Sequence, residues 1–249
     1  MPYRAWTMRR ARALTLDLDD TLLDGAGLGE SIQQVCVSLA EADSTLDVSQ
    51  LSSANAEAWM EYWLSAGDDW VLGRIDSASF SLEGWRRTLL ACGCADEGTA
   101  QLARVLHRQF SREAHRLYVD AHDLLDFVAA AGLPIALITN GASDVQREKL
   151  EVLGIEERFV AIVVSSELGA AKPDVLPFET AVAALGCDRE DVWHVGDNLE
   201  MDVTGAQRAG LGAVWINRLG RRLATGDPEP DLEIDSLSQL PGILRAFSS

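Results

Sequence analysis

From Asp120 onward, apolar residues fall into short unbroken runs, each preceded by a stretch with helical spacing and a glycine. Leu124 to Ala131 leads through Gly132 to Ile135-Ala136-Leu137-Ile138, and Val145 to Leu153 leads through Gly154 to Val160 to Val164. Pro177 to Leu185 leads through Gly186 to Val192 to Val195, and Val203 to Ala209 leads through Gly210 to Ala213 to Ile216. Glycine suits a helix C-terminus where the chain turns left-handed, and continuous Val/Ile/Leu runs are expected of strands covered on both faces. The alternation predicts an α/β fold, a Rossmann-like parallel sheet with right-handed crossovers and helices on both faces. Ala13-Leu14-Thr15-Leu16 supplies one further strand near the start.

Between that strand and the rest the pattern changes. The apolar sets Ile32, Val35, Cys36, Leu39; Trp59, Met60, Trp63, Leu64; Leu82, Trp85, Leu89, Leu90; and Leu102, Val105, Leu106, Phe110 all have helical spacing. We therefore expect a core over 1–24 and 119–249, interrupted by an all-helical insertion, a cap, over 25–118. Trp59, Trp63, Trp70 and Trp85 lie in the insertion, where packing within a small bundle is the simpler explanation for them.

The acidic balance narrows the chemistry. Of the 249 residues, 39 are Asp or Glu against 21 Lys or Arg, a formal net charge of -18, which disfavours nucleic acid and anionic membrane surfaces as partners. A small anionic substrate remains compatible, because a metal ion and one lysine can make a site locally positive. Cys36, Cys92, Cys94 and Cys187 lack zinc-type spacing and read as reduced packing thiols. The basic start, Met1 to Arg12, is followed by an apolar run broken by Asp17 and Asp19, so neither a signal peptide nor a membrane anchor is expected and the compartment is expected to be cytoplasmic. Oligomeric state is not readable.

Ligands of open parallel sheets bind beyond the carboxyl ends of the strands. Those positions hold Asp17-Leu18-Asp19-Asp20-Thr21; Thr139-Asn140-Gly141; Ser165-Ser166-Glu167 leading to Lys172-Pro173; and Gly196-Asp197-Asn198 with Asp202. Asp17 and Asp19 face one way if the chain stays extended, and with Asp197 and Asp202 they form an oxygen-rich cluster of the kind that suits Mg2+. Lys172 is the natural counter-charge, while Thr139 offers a hydroxyl and the Asn140-Gly141 turn offers backbone N–H groups to phosphoryl oxygens. Singly, each residue has a structural explanation, since Asp, Asn and Gly are ordinary turn residues. Four successive strand ends carrying groups that one chemistry needs are harder to explain that way. His194, two residues inside the end of its run, reads as a packed structural histidine, and Asp20 and Asp24 as turn residues.

The ordered motifs Asp17-Leu18-Asp19-Asp20-Thr21-Leu22-Leu23-Asp24, Ile138-Thr139-Asn140-Gly141, Lys172-Pro173 and Gly196-Asp197 with Asp202 resemble those of the haloacid dehalogenase superfamily. Helices inserted after the first motif resemble its first cap class, and the stretch from Thr139 to Asn217 is most similar to the branch of pyrimidine nucleotidases and N-acylneuraminate phosphatases. The resemblance implies a magnesium-dependent phosphatase acting on phosphate monoesters of small metabolites, nucleotide or sugar phosphates, through an aspartyl-phosphate. Asp17 would be the nucleophile and Asp19 the acid and base; Thr139 and Asn140 would hold the phosphoryl group and Lys172 would steady the charge. The metal would be held by Asp17, the Asp19 backbone carbonyl and Asp197, with Asp202 nearby. Asn198 departs from the Thr or Ser common in the branch. A dehalogenase of this superfamily lacks the second aspartate, which disfavours that alternative. A phosphomutase stays open, and an idle phosphate-binding protein would be expected to have lost some of Asp17, Asp19, Lys172 or Asp197.

Overall fold

The computed structural model describes residues 9–247, so the outermost residues of the expected core segments, 1–8 and 248–249, lie outside it. Six strands, β1 (Ala13–Leu16), β2 (Ile135–Thr139), β3 (Ala161–Val164), β4 (Val192–Gly196), β5 (Gly212–Ile216) and β6 (Leu232–Ile234), form one sheet in the order β3-β2-β1-β4-β5-β6. Every pairing is parallel. Five of these are the expected runs to within one residue. The sixth was not anticipated, because it is three residues long and Glu233 interrupts its apolar character.

β1, β2, β4 and β5 bury both faces, as their unbroken apolar composition requires, whereas Glu233 in the edge strand β6 is exposed. Leu14, Leu16, Leu137 and Val195 point to one side and pack on helices α5 (Val119–Ala131), α6 (Ser143–Leu153) and α10 (Leu240–Ala246), whereas Ala13, Ile138 and Val192 face α8 (Val175–Leu185) and α9 (Gly205–Ala209). Glycines 132, 154, 186 and 210 adopt positive φ at the ends of α5, α6, α8 and α9. The chain order reverses beside β1, which opens a crevice at the carboxyl ends of β1 and β4.

The insertion is four helices, α1 (Ala26–Ala42), α2 (Val48–Val71), α3 (Ser77–Ala91) and α4 (Glu97–Ala114). Asp47, Asp76 and Asp96 cap the last three, each accepting from the backbone N–H of the residue three positions on. Val35, Cys36, Leu39, Trp85 and Leu89 form its interior as expected. The expected stripe on α2 is corrected: Met60 is 63% and Leu64 81% exposed, and Trp63 is 45% exposed. The buried face of α2 runs instead through Leu51, Asn55 and Tyr62. The Trp59 ring lies against Gly84 and the Trp63 ring against Gly67, places where a Cβ would fall within 2.6 and 2.9 Å of those rings. On α3 and α4, Leu90, Leu102 and Val105 are likewise exposed.

The two ends of the insertion run side by side. Asp24 N–H donates to Arg116 O at 2.9 Å, Tyr118 N–H donates to Leu22 O at 2.9 Å, and Leu23 bridges Leu117. Asp24 accepts from Ala26 N–H at the start of α1 and from the Arg116 guanidinium, in keeping with its expected turn role. Among the described residues no helix is long and apolar enough to cross a membrane, and the four cysteines are free.

Candidate active site

β1 delivers Asp17 to the crevice, where its N–H donates to Val195 O at 3.0 Å and its carboxylate is buried. Lys172 arrives from the loop before α8 and places Nζ 2.5 Å from Asp17 Oδ1 and 2.7 Å from Asp202 Oδ1. Asp17, Asp197 and Asp202 each bring an oxygen within 4.8 Å of the others. Burial, then the neighbouring carboxylates against the pull of Lys172, pushes Asp17 up to about 8. Burial, followed by repulsion from Asp202 and Asp20, pushes Asp197 up to about 7. Asp202 goes the other way. Burial acts to raise it, but Lys172 and a hydrogen bond from His194 hold it well below the usual carboxylate range.

Asp202 is fully engaged. Oδ1 accepts from Lys172 and from His194 at 3.1 Å, and Oδ2 accepts from Asn198 N–H at 2.9 Å. A wide helical turn over Leu199–Thr204 swings it back beneath β4, close enough that a Cβ on Gly196 would sit 2.2 Å from its carboxyl carbon. Asn198 caps that turn by accepting from Glu200 and Met201 N–H, a role open to this residue in place of Thr or Ser. His194 stays in the strand, as expected, but it does more than fill space. A carboxylate only accepts, so His194 Nε2–H donates to Asp202 and Nδ1 accepts from the Thr15 hydroxyl at 2.9 Å.

The loop after β2 departs from expectation in two respects. The Asn140 side chain does not face the crevice; Oδ1 accepts from Lys172 N–H at 2.9 Å and Nδ2 donates to Lys172 O at 3.0 Å. It fixes the backbone that carries the lysine, so only its main chain is left for a phosphoryl oxygen. The Gly141 N–H is likewise occupied, donating to Ser165 Oγ at 2.9 Å. Gly141 adopts φ +146, and a Cβ there would lie 3.2 Å from both the Gln146 side chain and the Trp70 ring at the end of α2. Thr139 is buried with its hydroxyl at the strand end.

Asp19 stands apart from the acidic cluster. Its Oδ1 accepts from Lys149 Nζ at 2.7 Å and its Oδ2 from Gln146 Nε2 at 2.9 Å. Burial acts to raise its pKa, but Lys149 and the two hydrogen bonds outweigh this and lower it. Neither Gln146 nor Lys149 was singled out from the sequence. The available signal was their spacing of three on the helix that opens just after Thr139-Asn140-Gly141, which sets both on one side.

The cluster fits a hard divalent cation. Two carboxylates held above their ordinary pKa by burial and mutual repulsion favour a bound cation, Asp197 and the second Asp17 oxygen are not taken by Lys172, and every donor is oxygen. A pocket of about 350 Å3 lined by Arg10, Ala11, Phe127, Leu133, Leu244 and Arg245 lies at the amino ends of the strands and carries no carboxylate, thiol or hydroxyl group.

Comparisons with known proteins bear on the family and the fold. The family model of haloacid dehalogenase-like hydrolases matches residues 11–210. Phosphoserine phosphatase of Thermus thermophilus is 32% identical over 92% of this chain and 97% of its own length. Human N-acylneuraminate-9-phosphatase is 28% identical, with 96% of each covered. Of solved structures, the HAD-hydrolase YfnB of Bacillus subtilis, with magnesium bound, superposes with a TM-score of 0.73 at 25% identity, covering 95% of this chain and 99% of that one. A 2-haloacid dehalogenase of Pseudomonas syringae superposes with a TM-score of 0.68 at 26% identity, again over 95% and 99%. The chain is an enzyme and belongs to the haloacid dehalogenase-like hydrolase family.

Proposed function

We propose that the protein is a magnesium-dependent phosphatase that hydrolyses phosphate monoesters of small metabolites, nucleotide or sugar phosphates, through an aspartyl-phosphate on Asp17. The observation that carries this is the buried Lys172 bridging Asp17 and Asp202, with Asp197 within ligand distance of both. Phosphoryl transfer asks chiefly for positioning and charge stabilisation. Asp17 attacks phosphorus in line, and the Thr139 hydroxyl and the Asn140 N–H hold the phosphoryl oxygens. Lys172 offsets the negative charge that builds in the transition state. The negative charge of a bound phosphoryl group acts against Lys149 to raise Asp19, so that Asp19 can take up a proton and give it to the leaving alcohol; it afterwards takes a proton from the water that cleaves the aspartyl-phosphate. Mg2+, held by Asp17, Asp197 and the Asp19 carbonyl with Asp202 behind them, would supply charge neutralisation between carboxylates and phosphate. Ala26–Ala114 serves as the cap over the leaving group.

The test is phosphate release from a panel of phosphorylated metabolites, with Mg2+ and with excess chelator. Release that needs the cation and is lost in Asp17→Asn supports the reading, and full activity in chelator after dialysis refutes it. Structural likeness to a 2-haloacid dehalogenase favours a second reading, halide release. Asp19 weighs against it, since halide leaves without a proton. Faster release of halide from a 2-haloacid than of phosphate from any ester tested would select it.

A further inference from the structure

The hydrogen bonds around α6 have a direction that can be worked out from chemistry alone. Lys149 Nζ lies 2.7 Å from one atom of the Gln146 amide and 2.7 Å from Asp19 Oδ1. An ammonium only donates, so the amide atom facing Lys149 is the oxygen, and the NH2 end is turned the opposite way. The reversed amide would set its hydrogens against an ammonium and its oxygen against a carboxylate. Both amide hydrogens are therefore assigned: one goes to Asp19 Oδ2 at 2.9 Å and the other to Thr139 Oγ1. Because Thr139 Oγ1 accepts from Gln146, its single hydrogen is left to point elsewhere.

We propose that Gln146 and Lys149 are positioning residues of the phosphatase reaction: Lys149 fixes the polarity of the Gln146 amide, and Gln146 in turn presets the Thr139 hydroxyl as a donor to a phosphoryl oxygen while holding Asp19. One helix face thereby ties the group that binds the phosphoryl oxygen to the group that handles the leaving-group proton. Gln146 and Lys149 act through Asp19 and Thr139, to which they are hydrogen-bonded, rather than on the substrate itself. The other charged residues of α6 make different contacts. Arg147 pairs with Glu156 and Glu167, and Glu148 with Arg108 and Arg112, all at the surface or the cap rim. Gln146 is fully buried and Lys149 largely so, where an amide with a defined direction is worth more than on a surface.

The inference rests on the roles given above to Asp19 and Thr139, and its test separates the two. Full-length protein with Mg2+ is assayed on an aryl phosphate with a good leaving group and on an unactivated alkyl phosphate, for wild type, Lys149→Met, Lys149→Arg and Gln146→Glu. Lys149→Met keeps the aliphatic stem and removes the donor. It is expected to lower kcat on the alkyl ester by roughly a hundredfold, to lower it less on the aryl ester, and to change KM little. Lys149→Arg, also a pure donor, is expected to restore most of the alkyl activity. Gln146→Glu, of equal size, removes the amide hydrogens and should reproduce the Lys149→Met pattern, so the quantity is readable even if one variant folds poorly. If α6 merely needed the ion pair for stability, melting temperature would drop while the alkyl-to-aryl ratio of kcat stayed at the wild-type value in both variants. That unchanged ratio overturns the proposal. Wild type inactive on both esters overturns the phosphatase reading and this inference with it.

Discussion

Lys172 and Asp17 are paired, yet their removal should have opposite consequences for stability. Lys172 is the cation that lies between two buried carboxylates. Taking it away by Lys172→Ala strands both, and breaking a buried pair from one side typically costs roughly 3–5 kcal/mol. Asp17→Asn instead removes one member of a self-repelling set, and the amide can still accept from Lys172. We expect Lys172→Ala to melt several degrees below wild type and Asp17→Asn at or above it, with turnover abolished in Asp17→Asn and down by several powers of ten in Lys172→Ala. Thermal unfolding by circular dichroism, in chelator, decides this. A Lys172→Ala melt at the wild-type temperature would contradict the role of the lysine as the counter-charge that the two carboxylates need.

At the scale of elements, the loop between β2 and α6 is the most tightly specified piece. Gly141 meets two separate demands, a positive φ and a lack of room beneath Trp70. Gly141→Ala is therefore expected to cost roughly 1–3 kcal/mol in backbone strain and to depress kcat through Gln146, measured by melting and by turnover of an aryl phosphate. Unchanged values of both would contradict it. This loop also shows what sequence patterning can and cannot reach. The strands were legible because burial on both faces leaves unbroken apolar runs; Asp17, Thr139 and Asp197 stood out because they follow those runs directly, and Lys172 because it precedes Pro173 at the end of the loop after the third run. Period and spacing say where a side chain starts but not what it turns toward. Asn140 was expected at the phosphate and turned to Lys172, while Gln146 and Lys149, one helical turn apart in an apparently ordinary surface helix, reached Asp19. The α2 stripe misled for a related reason. Gly67 and Gly84 let tryptophan rings lie along the bundle, which rotated the buried face away from the most apolar residues.

For the molecule as a whole, the raised carboxylates make stability and metal binding pH-dependent together. A carboxyl whose pKa in the folded state lies above its unfolded value binds its proton more tightly when folded, so its stabilisation is present at low pH and is lost as pH rises through the folded pKa. Asp197 near 7 and Asp17 near 8, against an unfolded carboxylate of about 4, spread that loss from about pH 4 up to about pH 8, with the part above pH 7 due chiefly to Asp17. The histidines with lowered pKa act oppositely but have finished titrating in the unfolded chain above about pH 7. In chelator, the melting temperature of wild type is expected to fall from pH 7 to 8.5 and that of Asp17→Asn to fall less. Mg2+ must displace the same protons, so its affinity should rise over this window, measurable by calorimetry in buffers of different ionisation heat. A wild-type melt that climbs from pH 7 to 8.5 in chelator would contradict the assignment.

The doorway of the insertion carries one further consequence. Asp24 and Arg116 are hydrogen-bonded neighbours although 92 positions separate them, so everything from Ala26 to Ala114 hangs on the core like a loop whose ends already meet. A tight turn of a few residues is long enough to join those ends. The sheet, its two flanking helical layers and the cluster around Lys172 draw no backbone pairing from the inserted helices beyond the residues at that doorway and one contact of Val71 O with Ser165. With the role of cap proposed above, and with the rim pairs of Arg108 and Arg112 to Glu148 kept, the four helices would make an exchangeable part. A core closed by a short turn, or fitted with a bundle from another member of the family, is a physically sensible chimera in which reaction chemistry and choice of leaving group can be inherited from different parents.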